Sequence, residues 1–357
     1  METLFNPKAL ERAVEAVVAA GGSEAHEARL VAENLVTANL LGHDSHGIGM
    51  IPRYIDAVLE GGLAPNAHPK ATLDAGALLA LDGCKGYGQV IGREAMRMAI
   101  ERAKQHGSCV MALGNSHHLG RIGHWAEMAV AEGLVAIHFV NVISHARVAP
   151  YGGRDARFGT NPCCVAIPLP GEPPFVLDYA TSAVAQGKLR VAHNKGEKVP
   201  RGRLIDPEGR PTDDPRYAVM PPFGAMLAFG EHKGYGMAIA CELLGGALSG
   251  GGTWHYDESS KQRVMNGMIA ILIDPQRLGT AAAFEREARL FLDWLRKSRP
   301  APGFDHVRIA GEPEREMRAR RMREGIPVDD ITWQEIQRAA DKVRLPRERL
   351  QALAGAR

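Results

Sequence analysis

Long apolar runs are missing from this chain, and with them the simplest route into a membrane. No stretch approaches the ~20 consecutive apolar residues that a spanning helix needs. The N-terminus sets Leu10, Val14, Val17 and Val18 against Lys8, Glu11, Arg12 and Glu15. That is an amphipathic helix pattern without the apolar block and small-residue cleavage site of a signal peptide. An excess of either charge is missing too: 43 Lys and Arg stand against 41 Asp and Glu, a formal +2. Nothing here makes an electrostatic footprint for nucleic acid or a membrane surface. Cysteine is scarce. Cys84, Cys109, Cys163, Cys164 and Cys241 are odd in number and hold no Cys-x-x-Cys pair, which argues against a disulfide framework and a thiolate zinc site. Reduced thiols in a cytoplasmic protein are the expectation, with small molecules or copies of itself as partners.

What is present is 357 residues, 45% hydrophobic and 24% charged, enough for a buried core and for two domains of roughly 100–200 residues each. From 7 to 41 the periodicity is helical, broken at Gly21-Gly22 and restarted with Ser23 as N-cap. Beyond Gly61-Gly62 the pattern alternates: a strand over 77–81, a helix over 89–106, a strand over 109–113, a helix over 122–132 and a strand over 134–140. Between 150 and 222 many Gly and Pro residues surround short apolar runs, read as strands and long loops. A buried glycine-rich helix follows over 232–248, then a strand over 268–273, and helices from 284 onward. Thr332-Trp333-Gln334-Glu335 reads as a capping box and Pro346 as the opening of a last short helix. The distribution predicts a helical domain built from both chain ends (1–70 with 280–357) around a central α/β domain (71–279).

The segment Gly42-His43-Asp44-Ser45-His46-Gly47, followed by Arg53, places two imidazoles, a carboxylate and a hydroxyl at a chain reversal. His titrates nearest neutral pH, a neighbouring acceptor fixes its tautomer, and an arginine one or two turns on can hold a carboxylate, so the cluster suits proton transfer. Asp44 and Ser45 are equally ordinary N-cap residues for the next helix. Gly86, Gly88 and Gly92 invite a dinucleotide-binding reading, but no acid stands ~20 positions on to hold a ribose, and the next strand ends in Gly114-Asn115. In Asn115-Ser116-His117-His118-Leu119-Gly120-Arg121-Ile122-Gly123-His124, free amides of Gly120, Arg121 and Ile122 at a helix start would seat an anion, with the Arg121 charge added for a pyrophosphate. His117, His118 and His124 would also make a ligand set for a zinc hydrolase, although adjacent histidines do not easily aim both rings at one ion. Asp178, closing the apolar run Phe175-Val176-Leu177, is placed to orient a histidine or meet a ribose hydroxyl, and Lys188 to face a phosphate. The turns Phe158-Gly159-Thr160-Asn161-Pro162 and His232-Lys233-Gly234-Tyr235-Gly236 would let backbone approach a flat ligand, or simply supply positive φ.

Taken in order and spacing, these segments resemble the type-2 malate/L-lactate dehydrogenase family over nearly the whole chain. The likeness rests on Gly42-His43-Asp44-Ser45-His46-Gly47-Ile48-Gly49-Met50-Ile51-Pro52, Asn115-Ser116-His117-His118, Leu177-Asp178-Tyr179-Ala180-Thr181-Ser182 and Glu231-His232-Lys233-Gly234-Tyr235. The resemblance implies a non-Rossmann cofactor fold: a largely antiparallel seven-stranded sheet flanked by helices, packed on a helical domain, in a homodimer with its active site between domains. It implies an enzyme using NAD, with NADP as the alternative, and no metal. By the same likeness His46 is the proton donor and His118 its rival. The dinucleotide contacts fall to His46, Gly120, Arg121, Ile122, Val176, Leu177, Asp178, Tyr179, Ala180, His232, Lys233, Glu316, Met317 and Arg318.

The chemistry makes matching demands. Reducing a 2-oxo acid needs a hydride over the carbonyl carbon, a proton for its oxygen and a cation for its carboxylate. His46 supplies the proton beside Ser45, Arg53 clamps the carboxylate, and Asp178 holds the histidine's tautomer. Many members of the family carry arginine where this chain has Met50. A methionine favours a wider or more apolar pocket, hence an aryl or extended 2-oxo acid, or the cyclic imine that other members reduce. His145 and Arg147 are the candidates to replace the missing charge.

Overall fold

The computed structural model describes residues 2–255 and 264–355. The N-terminal hairpin forms as its periodicity demands. Helix Pro7–Ala20 buries Leu10, Val14, Val17 and Val18 on one face, and the Asn6 side chain caps it, accepting from the Lys8 and Ala9 amides at 3.0 and 3.1 Å. Helix Ala25–Leu40 packs against it. Ser23 does not cap this second helix, whose N-cap is Glu24. The Ser23 hydroxyl donates instead to Glu27 Oε1 at 2.7 Å, because a buried carboxylate needs partners more than the helix end does. Burial pushes the Glu27 carboxyl up from its ordinary value. The expected capping box moves likewise: Asp329 accepts from Thr332 N at 2.9 Å and starts helix Asp330–Lys342 before Thr332.

Both chain ends meet in one core. Leu10, Val17, Val31, Leu35, Ile51, Ile55, Ile326, Ile336 and Leu350 belong to it, together with Tyr87 and Val90 from the start of helix Gly88–His106. Strand Glu2–Phe5 pairs antiparallel with Ile326–Asp329 and closes the ring. Helix Ala281–Arg296 takes no part in this core and exposes Leu290, Phe291 and Trp294.

A second core lies under a seven-stranded sheet of order 70–75, 78–82, 108–117, 265–273, 135–143, 163–167, 175–179. The sheet is mixed, where the resemblance implies a largely antiparallel one. Strands Leu78–Asp82 and Ser108–His117 run parallel because helix Gly88–His106 returns the chain to the end it left. The other neighbouring pairs are antiparallel. Helices Gly88–His106 and Gly123–Ala131 cover one face with Ile91, Met96, Trp125 and Ala129. On the other face the helix begun at His232–Cys241 widens to a π-helical stretch over Glu242–Leu248. Its backbone lies directly on the sheet: a Cβ at Gly245 would come within 2.7 Å of Asn141 N. The stretch after 150, read as strands and loops, also holds the helix Gln186–Lys195, which buries Leu189 in a small third core with Phe158 and Met226. Among the described residues, no helix is long and apolar enough to cross a membrane.

His138, on strand Val135–Ile143, is fully buried and neither ring nitrogen has a hydrogen-bond partner among the described residues. Burial lowers its pKa to about 4. Unfolded, the ring titrates near 6.5, so between these values the unfolded chain holds a proton that the folded one refuses. Stability therefore falls as pH drops from about 6.5 toward 4. Replacing His138 with Met is expected to leave stability at pH 7 equal or higher and to flatten its loss between pH 7 and 5. Urea unfolding of both proteins at the two pH values checks this, and parallel losses would refute it.

Candidate active site

The turn carrying His46 is fixed by side chains rather than by helix caps. After helix Ala25–Leu40 the chain makes two short 3-10 turns, Asp44–His46 and Ile48–Met50, and enters helix Ile51–Leu59. Asp44 caps nothing; it accepts two bonds from Arg321, at 2.6 and 2.9 Å, and one from Asn39 Nδ2 at 2.6 Å. The Asn39 carbonyl oxygen of the side chain accepts from Ile48 N at 2.8 Å. Gly47 must lack a side chain, because a Cβ there would overlap the Asn39 amide. Ser45, expected at the substrate, lies with its Oγ 2.9 Å from His46 Nδ1.

His118 stands opposite. Its ring stacks on His46 with centroids 5.6 Å apart and planes 17° apart. Tyr54 Oη lies 2.7 Å from His118 Nδ1, and Gln89 Nε2 donates to the same hydroxyl at 2.9 Å. Strand Ser108–His117 runs further than the sequence pattern suggests and delivers His118 at its end. Asn266, on the neighbouring strand, accepts from Leu119 N at 2.8 Å and holds the exit. The glycine turn that invited a fingerprint reading has a packing role, since a Cβ at Gly88 would overlap the His118 carbonyl. Tyr54, Gln89, Asn266, Asn39 and Arg321 have no motif to announce them; only Tyr54, next to Arg53 on a short amphipathic helix, carries a local hint.

The three histidines of the zinc reading point to different partners. His117 Nε2 accepts from Val264 N at 3.4 Å, His118 meets Tyr54, and His124 sits edge-on to Trp125. Among the described residues no three His, Cys, Asp or Glu side chains form a group suited to a metal ion.

Asp178 closes strand Phe175–Tyr179 as expected, but it does not bond to His46. Its Oδ2 accepts from Gly123 N at 2.7 Å and lies 3.9 Å from Arg121 Nη1. The carboxylate has thus taken the first amide of helix Gly123–Ala131, next in the chain to the Gly120, Arg121 and Ile122 amides expected to seat an anion. It still acts on His46 through its charge. Burial lowers the His46 pKa to about 4, Asp178 pulls it back up, and His43 and Arg121 press it down. For His118, burial and then His46, His117 and Arg53 all push downward.

Two arginines remain for an anion. Arg53 is half-buried and without an ion-pair partner among the described residues, its pKa lowered by burial and then by Arg147. Arg147 is likewise half-buried, its guanidinium 5.3 Å from the centroid of Phe223. His145 is half-buried in the loop before it.

Strand alternation sorts the expected cofactor residues. Val176 and Asp178 line a cavity of about 200 Å³ together with Leu41, Arg121, Gly311, Glu314, Arg315 and Arg318. Leu177 is exposed, and Tyr179 meets Phe229 edge-on at 5.6 Å. Ala180 is half-buried. Glu316 lines an adjoining cavity of about 390 Å³ with Arg296, His306 and Arg315. Met317 lies against Gly42. His232 and Lys233 open their helix exposed, His232 beside Tyr151, and Lys188 is exposed; none of the three lines either cavity.

Comparison with known proteins gives this arrangement a family. The model of the malate/L-lactate dehydrogenases matches residues 5–337. Hydroxycarboxylate dehydrogenase B of Escherichia coli is 47% identical over 350 residues, 98% of this chain and 96% of its own. A solved E. coli structure, described as a proposed malate/lactate dehydrogenase, is 46% identical with a TM-score of 0.94, covering 99% of both chains. The Δ1-piperideine-2-carboxylate reductase of Pseudomonas syringae is 31% identical with a TM-score of 0.83 over 95% of this chain and 100% of that one.

Gly47 and Gly49 give a paired test of the turn. A Cβ at Gly49 would meet nothing nearer than 3.7 Å, so Gly49→Ala is expected to melt and turn over as wild type. Gly47→Ala is expected to lose about 1–3 kcal/mol of stability through overpacking and most activity. Thermal melts with steady-state assays check the pair, and equal behaviour of the two would contradict the turn's description.

Proposed function

The chain belongs to the malate/L-lactate dehydrogenase family, and on that premise we propose that it moves a hydride between NAD, or alternatively NADP, and a 2-oxo/2-hydroxy acid, with His46 handling the proton. The observation that carries this reading is the stacked pair of His46 and His118, ring centroids 5.6 Å apart, with Arg53 in the same region holding no ion-pair partner among the described residues.

The residues fit a dinucleotide. Arg121 is buried with its Nε unpartnered among the described residues, and Arg315 and Arg318 share its cavity; Glu127 and Asp178 hold the Arg121 guanidinium and Glu314 lines the same space, so Arg315 and Arg318 are the arginines we set against a pyrophosphate. A Cβ at Gly311 would come within 2.7 Å of Arg315 Nη1, so the absent side chain keeps that space open. Bound there, the reduced cofactor supplies the hydride. We assign Gly120, Ile122, Tyr179, Ala180, Glu316 and Met317 as further contacts, with His232 and Lys233 outside the two cavities as the remaining candidates.

The protein's own work is orientation and proton handling. Arg53 neutralises and orients the substrate carboxylate. His46, neutral at pH 7, takes the proton from a 2-hydroxy acid in oxidation and, once protonated, gives it to the carbonyl oxygen in reduction. Its low pKa makes it a strong acid in the second direction. Ser45 at Nδ1 orients the ring, and Asp178 stabilises its charged form. His118, tied to Tyr54 and lacking a helpful anion, is assigned to positioning the substrate.

Met50, packed against the helical core two residues past Ile48, and the exposed Phe223 beside Arg147 are the apolar groups we set at the substrate's side chain, which favours aryl or extended 2-oxo acids, with Arg147 and His145 toward its far end. The likeness to a piperideine-carboxylate reductase supports cyclic-imine reduction as the second reading. We take the two cores as a helical domain and an α/β domain with the site between them. The exposed apolar line Ile239, Leu243 and Leu248 on the helix over the sheet supports a homodimer through that face. Five free cysteines suit a cytoplasmic protein.

A panel of pyruvate, oxaloacetate, 2-oxoglutarate, phenylpyruvate and piperideine-2-carboxylate, followed at 340 nm with NADH and NADPH, tests the class. His46→Ala is expected to bind cofactor and lose roughly 10²–10⁴-fold in turnover; wild-type turnover in that variant would overturn the assignment. Oxidation needs neutral His46, so its rate should stay level from pH 8 downward and fall as pH nears the ring's pKa of about 4. Removing the Asp178 charge lowers that pKa further, so Asp178→Asn should move the acid limb to lower pH; a move to higher pH would contradict the role given to it.

A further inference from the structure

Helix Glu312–Glu324 touches two things at once. Glu314, Met317 and Arg321, spaced three and four apart, share one face. That face meets three successive residues of the catalytic turn. Glu314 Oε1 lies 3.4 Å from His43 Nε2, and the His43 bond holds the Glu314 carboxyl below its ordinary range. A Cβ on Gly42 would come within 3.1 Å of Met317 Cγ, so the two pack directly. Arg321, only 9% exposed, makes its two bonds to Asp44 and a further one to the backbone carbonyl of Asn39. The adjacent face of the same helix carries Arg315 and Arg318, which with Gly311 line the cavity assigned to the dinucleotide.

We propose that this helix is a rigid link between the cofactor cavity and His46, with Arg321 the positioning residue that sets the catalytic turn through Asp44. The proposal rests on the functional reading above. A buried guanidinium held by a carboxylate and a carbonyl does not drift on its own: parting from the more exposed Asp44 leaves the Arg321 charge buried and uncompensated. The two residues therefore move together or not at all. An anion that draws Arg315 and Arg318 inward moves the helix, and the helix carries Asp44, two residues before His46. Cofactor binding thus orders the turn before the 2-oxo acid arrives, and the acid meets a preset imidazole only in the binary complex.

The test compares wild type, Arg321→Gln, Arg321→Lys and Glu314→Gln. Hydrogen exchange at amides 43–48 is followed with and without NADH, NADH affinity by its fluorescence, and kcat and KM by turnover. In wild type, NADH should slow exchange at 43–48. In Arg321→Gln that protection should be lost while NADH affinity stays within about threefold, and kcat should fall about tenfold or more, as a small misplacement of a reacting group does. Arg321→Lys should restore part of both, and Glu314→Gln should weaken the protection with little change in melting temperature. Retained protection and kcat in Arg321→Gln would overturn the proposal, as would a loss of NADH affinity equal to the loss in kcat. His46→Asn runs alongside. If that variant keeps full turnover, the functional reading fails; the exchange data judge the link independently.

Discussion

The proposed reaction depends on keeping a half-buried imidazole uncharged while leaving it able to accept a proton. Burial brings His46 and His138 alike to a pKa of about 4, but His138 is sealed within the sheet while His46 is half-buried and faces the His118 ring. Asp178 adds a favourable charge at His46. Its carboxylate bonds to a helix amide and lies near Arg121 rather than bonding to the ring, so it offers His46 charge without taking its hydrogen-bonding capacity. A direct bond would fix the ring more firmly but would hold it protonated. The longer-range arrangement leaves the proton free to move.

Two separate cores meet around that pair. The helical core from both chain ends contributes His46, Arg53 and Tyr54; the sheet contributes His118 and Asp178. Tyr54 reaches across to His118, and Arg321 reaches back to Asp44 from the far end of the chain. Neither core holds the site alone. The sheet's parallel pair follows from the helix that starts beneath His118, so the mixed topology and the placement of that ring have one cause.

Much of this was legible from residue order. The helical ends, the alternation over 77–140 and the His46 turn follow from periodicity and from turn-forming residues that act within a few positions, whereas the exposed strand Lys70–Ala75 was missed. What stayed hidden was long-range. Asp44 reads as a cap because caps are local, yet its partner lies 277 residues away. Ser23 and Thr332 fail as caps for the related reason that a buried Glu27 and an earlier Asp329 outcompete them. Asp178 reads correctly as a strand-end acid near a histidine, but only the fold could say that a helix amide would claim its oxygen. The mixed sheet was invisible because a crossover and a hairpin leave similar strand patterns.

The central claim is that His46 hands the proton to an oxygen whose carbon takes the hydride. The most direct measurement is a crystal structure of the ternary complex with reduced cofactor and oxamate, an unreactive mimic of a 2-oxo acid. The account predicts the oxamate amide carbonyl oxygen within hydrogen-bond reach of His46, its carboxylate on Arg53, and the nicotinamide face over the carbonyl carbon. A nicotinamide bound on the side of the molecule away from His46, with oxamate clear of that ring, would contradict it.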